Sequence, residues 1–213
     1  MNQRGIFITF EGIDGCGKTT QLRLLGERLR SRGCTVVETA EPGGTEIGRQ
    51  IRKIVLDARN TGLNARAELL LYFASRAQNV EQVIRPALQA GSMVLCDRFT
   101  DSTMAYQGCG RGLDAEPILQ LAALACRGLA PELTILIDID LETSRERSKQ
   151  RNERVGSGET RIDDESAAFH ARVRDGYHAL AREHPGRIRS IDGNGGQGAV
   201  AKRVWEQVEP YVR

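Results

Sequence analysis

Residues 12–20 read Gly12-Ile13-Asp14-Gly15-Cys16-Gly17-Lys18-Thr19-Thr20, which fits the pattern G-x-x-x-x-G-K-[ST]. Glycines at 12, 15 and 17 let the backbone turn tightly and approach a polyphosphate, with successive N–H groups pointing inward as donors. Lys18 then places one positive charge against the β- and γ-phosphates, and the Thr19 hydroxyl is the expected Mg²⁺ ligand. A helix starting here adds the partial positive charge of its N-terminus. The stretch is therefore expected to hold a nucleoside triphosphate. Its flanks agree: residues 5–11, Gly-Ile-Phe-Ile-Thr-Phe-Glu, read as a strand, and Leu22, Leu24, Leu25 and Leu29 recur at helical spacing.

Outward from this loop, short apolar, β-branched runs alternate with helical stretches. Four further strands are expected at Thr35–Ala40, Met93–Asp97, Leu133–Ile139 and Ile188–Ile191, each separated from the last by enough chain for a crossover helix. This is the pattern of an α/β domain whose parallel sheet is covered on both faces. Ligands then bind at the carboxyl ends of the strands. Glu41-Pro42-Gly43-Gly44-Thr45 forms a turn whose Thr45 can cap a helix carrying Ile47, Ile51, Ile54 and Val55. The spacing predicts a long helix over Ala65–Ala90, bent or ended near Pro86. Another opens at Asp114 and runs through Ile118–Cys126, with apolar residues dense enough to predict burial on more than one side. From Leu141 to Arg161 the chain turns strongly basic around Gly156-Ser157-Gly158, and Gly193–Gly198 reads as a hinge before a terminal helix.

The length of 213 residues fits one domain with a full core. Composition is that of a soluble protein, without an apolar run near the ~18 residues of a membrane helix and without a secretory leader, so a cytoplasmic location is expected. Five cysteines, never in C-x-x-C spacing, argue against a disulfide framework or a zinc site. A net charge of +2 does not indicate a nucleic-acid surface. Of the 30 basic residues 26 are arginine, and planar, bidentate arginine suits phosphate recognition better than lysine.

A triphosphate site alone fits a kinase, an ATPase or a switch. A guanine switch needs an N-K-x-D segment, which is absent from the sequence. Asp97 ends an apolar strand, where a carboxylate can orient Mg²⁺ or its waters, and Arg98 follows on the same edge, suited to an acceptor phosphate. Tyr72 and Arg76, four apart on the long helix, put an aromatic ring and a guanidinium on one side, able to stack on a base and bond its edge. Another nucleoside monophosphate kinase and a non-catalytic ATP-dependent switch remain as alternatives.

Five blocks follow in order between residues 10 and 108: Phe10 to Thr20, Glu41 to Thr45, Phe73-Ala74-Ser75-Arg76, Asp97-Arg98-Phe99 and Ser102 to Gly108. Together they resemble the thymidylate kinase family, which phosphorylates dTMP with ATP. The resemblance implies a P-loop NTPase-type three-layer α/β/α fold with a five-stranded parallel sheet and a basic lid at about residues 145–161. It also implies Mg²⁺ as cofactor, homodimerisation, and formation of dTDP on the way to dTTP. Gly12 to Thr20 would bind ATP, with Thr19 and Asp97 at the metal. Asp14 and Glu41 would flank the dTMP sugar and phosphate, and Arg98 and Arg52 would hold that phosphate. Arg76 would read the thymine edge near Ser102, Thr103 and Gln107, and Tyr106 would crowd the ribose 2′ position. Either Tyr72 or Phe73 would stack on the base. Gly15 stands where some members carry an arginine, which points to the bacterial class with a catalytic arginine in the lid. The implied catalytic set is Lys18, Asp14, Arg98 and one of Arg147, Arg151 and Arg154.

Overall fold

The computed structural model describes residues 5–156 and 158–212; Ser157 of the glycine-flanked turn lies outside them. Strands β1 (Phe7–Glu11), β2 (Val36–Ala40), β3 (Met93–Asp97), β4 (Leu133–Asp138) and β5 (Ile188–Asp192) form one sheet in the order β2-β3-β1-β4-β5. Every pairing is parallel, with Ile8 opposite Leu95 and Leu133 at the centre. The five expected strands are all present, each within two residues of its expected ends.

The strand period of two sorts side chains between the faces. Ile8, Phe10 and Leu95 join Leu22, Leu25 and Leu29 of helix α1 (Lys18–Ser31), together with Val204 and Trp205 near the C-terminus, in one core. Phe7, Val94 and Cys96 point the other way and pack with Val80, Ile84 and Leu88. Both faces of the central strands are covered, which is why β1, β3 and β4 read as mainly apolar runs, whereas the edge strands β2 and β5 leave Glu38 and Ser190 exposed.

Helix α2 (Glu46–Leu56) starts where expected: the Thr45 hydroxyl accepts from Gly48 N–H at 2.9 Å. The long helix differs from its sequence reading. It runs as α3 (Ala65–Asn79), widens into a π-helical turn at Val80–Ile84, and continues as α4 (Arg85–Gln89) with Pro86 in its first turn. Proline lacks the N–H that an α-helical ladder needs, and here the ladder loosens ahead of it rather than stopping. A second π-helical stretch, Met104–Gly110, follows the short helix α5 (Thr100–Thr103). Helix α6 (Ala115–Cys126) buries Ile118, Ala125 and Cys126 but leaves Leu119 and Leu124 exposed, so within this chain it is covered on one side only. The basic segment is largely regular: α7 spans Leu141–Val155, capped by Asp140, and α8 spans Ala167–Glu183. The glycine-rich hinge is shorter than expected, because α9 (Gln197–Val208) already includes Gly198.

Candidate active site

The loop at residues 12–17 leaves β1 and delivers the chain to α1 at Lys18, with Gly17 at the helix N-cap. Lys18 is buried and its ammonium donates to the Ile13 carbonyl at 3.0 Å, so the cation folds back over the loop. Gly15 shows why this loop has no side chain there. Its φ is +73°, and a Cβ would lie 2.5 Å from the Ser144 carbonyl oxygen of α7 and 3.2 Å from Arg147 Cβ. The Ser144 hydroxyl also donates to the Asp14 carbonyl at 2.6 Å. The start of α7 therefore rests on the loop, and the space an arginine at 15 would need is taken by the helix that carries Arg147 and Arg151. At the other edge the Thr19 hydroxyl donates to the Asp97 carboxylate in a short hydrogen bond, placing two hard oxygen donors side by side at the end of β3. That pair suits Mg²⁺, an ion that takes one or two protein oxygens and fills its shell with phosphate and water.

Arg98 follows Asp97 with a left-handed φ of +73°, a backbone turn that swings its side chain back over the loop. One guanidinium nitrogen donates to the Gly12 carbonyl at 3.0 Å, Ser102 at 3.1 Å and Tyr177 at 3.2 Å; the other donates to Asp14 at 2.6 Å and Tyr106 at 3.2 Å. The Tyr106 hydroxyl in turn donates to the second Asp14 oxygen at 2.7 Å. Burial pushes the Asp14 carboxyl up, but Arg98, Lys18, the Tyr106 hydroxyl and Arg151 outweigh it and hold the group well below the usual carboxylate range. Asp14 is thus an anion at neutral pH, clamped between the loop and Arg98.

Behind this clamp lies Glu11, fully buried at the end of β1. It accepts from the Phe99 N–H at 2.7 Å, Ser102 at 2.5 Å and Tyr177 at 3.1 Å. Burial, reinforced by neighbouring Asp101, pushes its carboxyl up to about 7 despite these bonds. The sequence reading passed over Glu11 as a strand residue; a carboxylate closing an otherwise apolar strand was the available signal. Tyr177, 166 residues from Glu11, had none.

A cavity of about 370 Å³ opens beside Asp14 and Thr19 at the carboxyl edge of the sheet. Its lining includes Glu41, Arg52, Tyr72, Arg76, Arg98, Ser102, Thr103, Tyr106, Gln107 and Arg151. All the residues expected to meet an acceptor nucleotide are therefore gathered around one space, with one exception. Phe73 is a correction: it turns into the core with Leu69, Ile118 and Ala125, and its ring packs 4.9 Å from the Arg76 guanidinium. Tyr72 lines the cavity instead, where burial pushes its phenol well above the ordinary value.

Arg76 is 1% exposed and held on three sides, donating to Glu41 at 2.6 Å, Thr103 at 3.0 Å and the Phe99 carbonyl at 2.9 Å. Glu41 accepts a further bond from Asn79 at 3.0 Å. Burial raises the Glu41 carboxyl even so, against the opposing pull of Arg76 and Asn79. Both Glu41 oxygens are engaged, so its first effect is to orient Arg76. Arg52 bonds Glu159 at 2.9 Å and the Pro42 carbonyl at 3.2 Å at the cavity wall.

The three lid arginines separate clearly. Arg151 lines the cavity and pairs with Asp163 at 2.5 Å. Arg147 lies against Gly15 on the loop. Arg154 is exposed and stands outside the lining of this cavity and of a second one, about 600 Å³, that shares Asp14, Asn152 and Asp163 with it and is lined by α7 and the start of α8.

The statistical model of the thymidylate kinase family matches residues 10–204. A thymidylate kinase of Desulfovibrio desulfuricans (strain ATCC 27774 / DSM 6949 / MB) is 50% identical over 210 residues, covering 98% of this chain and 97% of its own. One from Geobacter sp. (strain M21) is 55% identical over 192 residues, 90% of this chain and 85% of its own. The crystal structure of thymidylate kinase from Ehrlichia chaffeensis is similar at a TM-score of 0.79 and 34% identity, covering 97% of this chain and all of that one. With a phosphate loop facing an arginine-lined cavity across Asp14, and with this likeness over nearly its full length, the chain belongs to the thymidylate kinase family.

Proposed function

We propose that the chain transfers the γ-phosphoryl group of ATP to dTMP, giving dTDP. The observation that carries this reading is the position of Arg98 between the loop at 12–17 and a cavity walled by Tyr72, Arg76 and Gln107. In it the loop N–H groups and Lys18 hold the triphosphate, while Arg98 and Arg52 hold the phosphate of dTMP. Tyr72, Leu56 and Ile162 offer apolar surface to the base, and Arg76 meets its edge. An oxygen of the dTMP phosphate attacks the γ-phosphorus and ADP leaves. The acceptor is already an anion, so no general base is required, and positioning with charge neutralisation supplies the catalysis.

Mg²⁺ accompanying ATP would be held by Thr19 and Asp97 and would supply Lewis-acid charge to the phosphates. The chain's own residues do the rest: Lys18, Arg98 and a lid arginine balance the developing charge, and α7 with the 158–165 segment covers the site against water. Of the lid residues, the cavity position of Arg151 favours it for the catalytic role. The unit acts as one kinase domain with a lid at about 145–161. Assembly as a homodimer is part of this reading, supported by Leu70, Leu119 and Leu124, exposed on the packed helices α3 and α6. Among the described residues no helix is long and apolar enough to cross a membrane, and the five free cysteines support a reducing, cytoplasmic setting.

Coupled ADP release with dTMP, dUMP, UMP, CMP, AMP and GMP tests the assignment. Turnover should be highest with dTMP and abolished in Lys18→Ala; preference for a purine, or no turnover with any monophosphate, refutes it.

A further inference from the structure

Glu68 lies on α3 one turn before Tyr72 and two before Arg76, and it is 0% exposed. One of its oxygens accepts from the Gln107 side-chain amide at 2.8 Å and from Arg111 at 3.2 Å; the other accepts from Arg111 at 3.1 Å and from Arg161 at 2.5 Å. Burial works to raise this carboxyl, but the bonds from Arg111, Gln107 and Arg161 together bring it below its ordinary value. Glu68 is therefore ionised at neutral pH.

An ionised carboxylate only accepts hydrogen bonds. Gln107 must turn its NH₂ toward Glu68, and its carbonyl oxygen is then directed away from Glu68 and left for the cavity that Gln107 lines. A glutamine amide can otherwise rotate by half a turn and offer either group. Arg76 bonds Thr103, four residues before Gln107, and its guanidinium has five N–H groups. Three are used by Glu41, Thr103 and the Phe99 carbonyl, and Arg76 also lines the cavity. Thr103 and Gln107 follow one turn apart, so the cavity presents a donor from Arg76 beside an acceptor from Gln107.

We propose that Glu68 is the positioning residue that fixes the Gln107 amide, and so selects a base carrying a keto oxygen next to a ring N–H over one carrying an amino group next to a bare ring nitrogen. This rests on reading the cavity as the dTMP site. Thymine offers O4 to the Arg76 donor and N3–H to the Gln107 acceptor. Cytosine reverses both, meeting a donor with its amino group and an acceptor with a lone pair. A site built around buried hydrogen bonds rejects such a mismatch far more strongly than an apolar pocket rejects a change of shape.

The test is Glu68→Gln, which keeps shape but can donate as well as accept, so that the Gln107 amide is no longer forced into one orientation. The ratio of kcat/KM for dTMP over dCMP should fall about tenfold or more, mostly through a higher KM for dTMP, with the KM for ATP unchanged. A merely structural role would slow both nucleotides alike and leave the ratio as in the parent, which would overturn the proposal. Thermal unfolding measured in parallel establishes that the variant folds. Should it not fold, the parent enzyme answers with dCMP and N3-methyl-dTMP. Each should be at least about 100-fold poorer than dTMP, and equal turnover overturns the proposal. Failure of the parent to phosphorylate dTMP at all would instead remove the functional reading beneath it.

Discussion

Arg98 joins an unusual backbone to a charge at the centre of the site, and two substitutions separate them. In Arg98→Ala, Asp14 loses the strongest of the groups opposing its burial while Lys18, Tyr106 and Arg151 remain. Breaking a buried pair costs about 3–5 kcal/mol. The side chains here are 16% and 19% exposed, and other partners of Asp14 survive, so a loss of about 2–3 kcal/mol is expected. The backbone adds a second effect. At φ +73° alanine keeps the strain that arginine has, whereas glycine does not, so Arg98→Gly should be about 1 kcal/mol more stable than Arg98→Ala.

Activity should not follow that order. In the role proposed for Arg98, both variants lose about two charge-assisted hydrogen bonds to the acceptor phosphate, each about 1.5–3 kcal/mol. At about 1.4 kcal/mol per decade the sum corresponds to a fall in kcat/KM of roughly 10² to 10⁴. Coupled ADP release with dTMP reads the second effect and urea unfolding the first. There is also a pH signature. The folded-state pKa of Asp14 is depressed, so its contribution is complete above the ordinary value of 3.8 and is lost as pH falls through the folded value. The acid-side loss of stability should be shallower in Arg98→Ala than in the parent. Turnover within tenfold of the parent in both variants would refute the role given to the guanidinium. Equal stability of the alanine and glycine variants would refute the strain argument.

Two further outcomes follow from the same geometry. Arg151→Met should lower kcat about 100-fold with little change in dTMP affinity, while Arg154→Met, altering an exposed side chain away from both cavities, stays near the parent; single-turnover kinetics and dTMP calorimetry check this. For Glu11 the folded-state pKa is raised from 4.5 to about 7, so the folded chain holds that proton more tightly than the unfolded one. Stability should therefore fall as pH rises from about 4.5 to 7, by about 3 kcal/mol from this group, and Glu11→Gln should remove that part of the slope in pH-resolved urea unfolding.

The central strands β1, β3 and β4 were readable because they are covered on both sides by helices, so that every residue of Leu133–Ile137 had to be compatible with burial. Thr45 was readable because an N-cap is a bond to a backbone N–H three residues on. Tyr72 against Phe73 was not. Both lie on the same side of α3 as Arg76, at four and three residues' spacing, and helical periodicity admits either. Packing of α3 beside α6 takes Phe73 into the core and leaves Tyr72 at the cavity. The basic segment hid its division of labour in the same way. Arg147, Arg151 and Arg154 are alike in sequence, and only the docking of α7 on Gly15 separates a residue at the loop from one at the cavity and one on the surface.

The order of residues by itself determined the phosphate loop, the five parallel strands and the placement of Asp97-Arg98 at a strand end, because each depends on backbone geometry and neighbours a few positions away. Tertiary structure decided the partners. The Arg76–Glu41 pair joins positions 35 apart, Arg98–Asp14 joins positions 84 apart, and Gln107–Glu68 joins positions 39 apart. Each charge could meet several counterparts in the unfolded chain. Burial removes water as the alternative partner and leaves only the groups that the packed helices bring within reach.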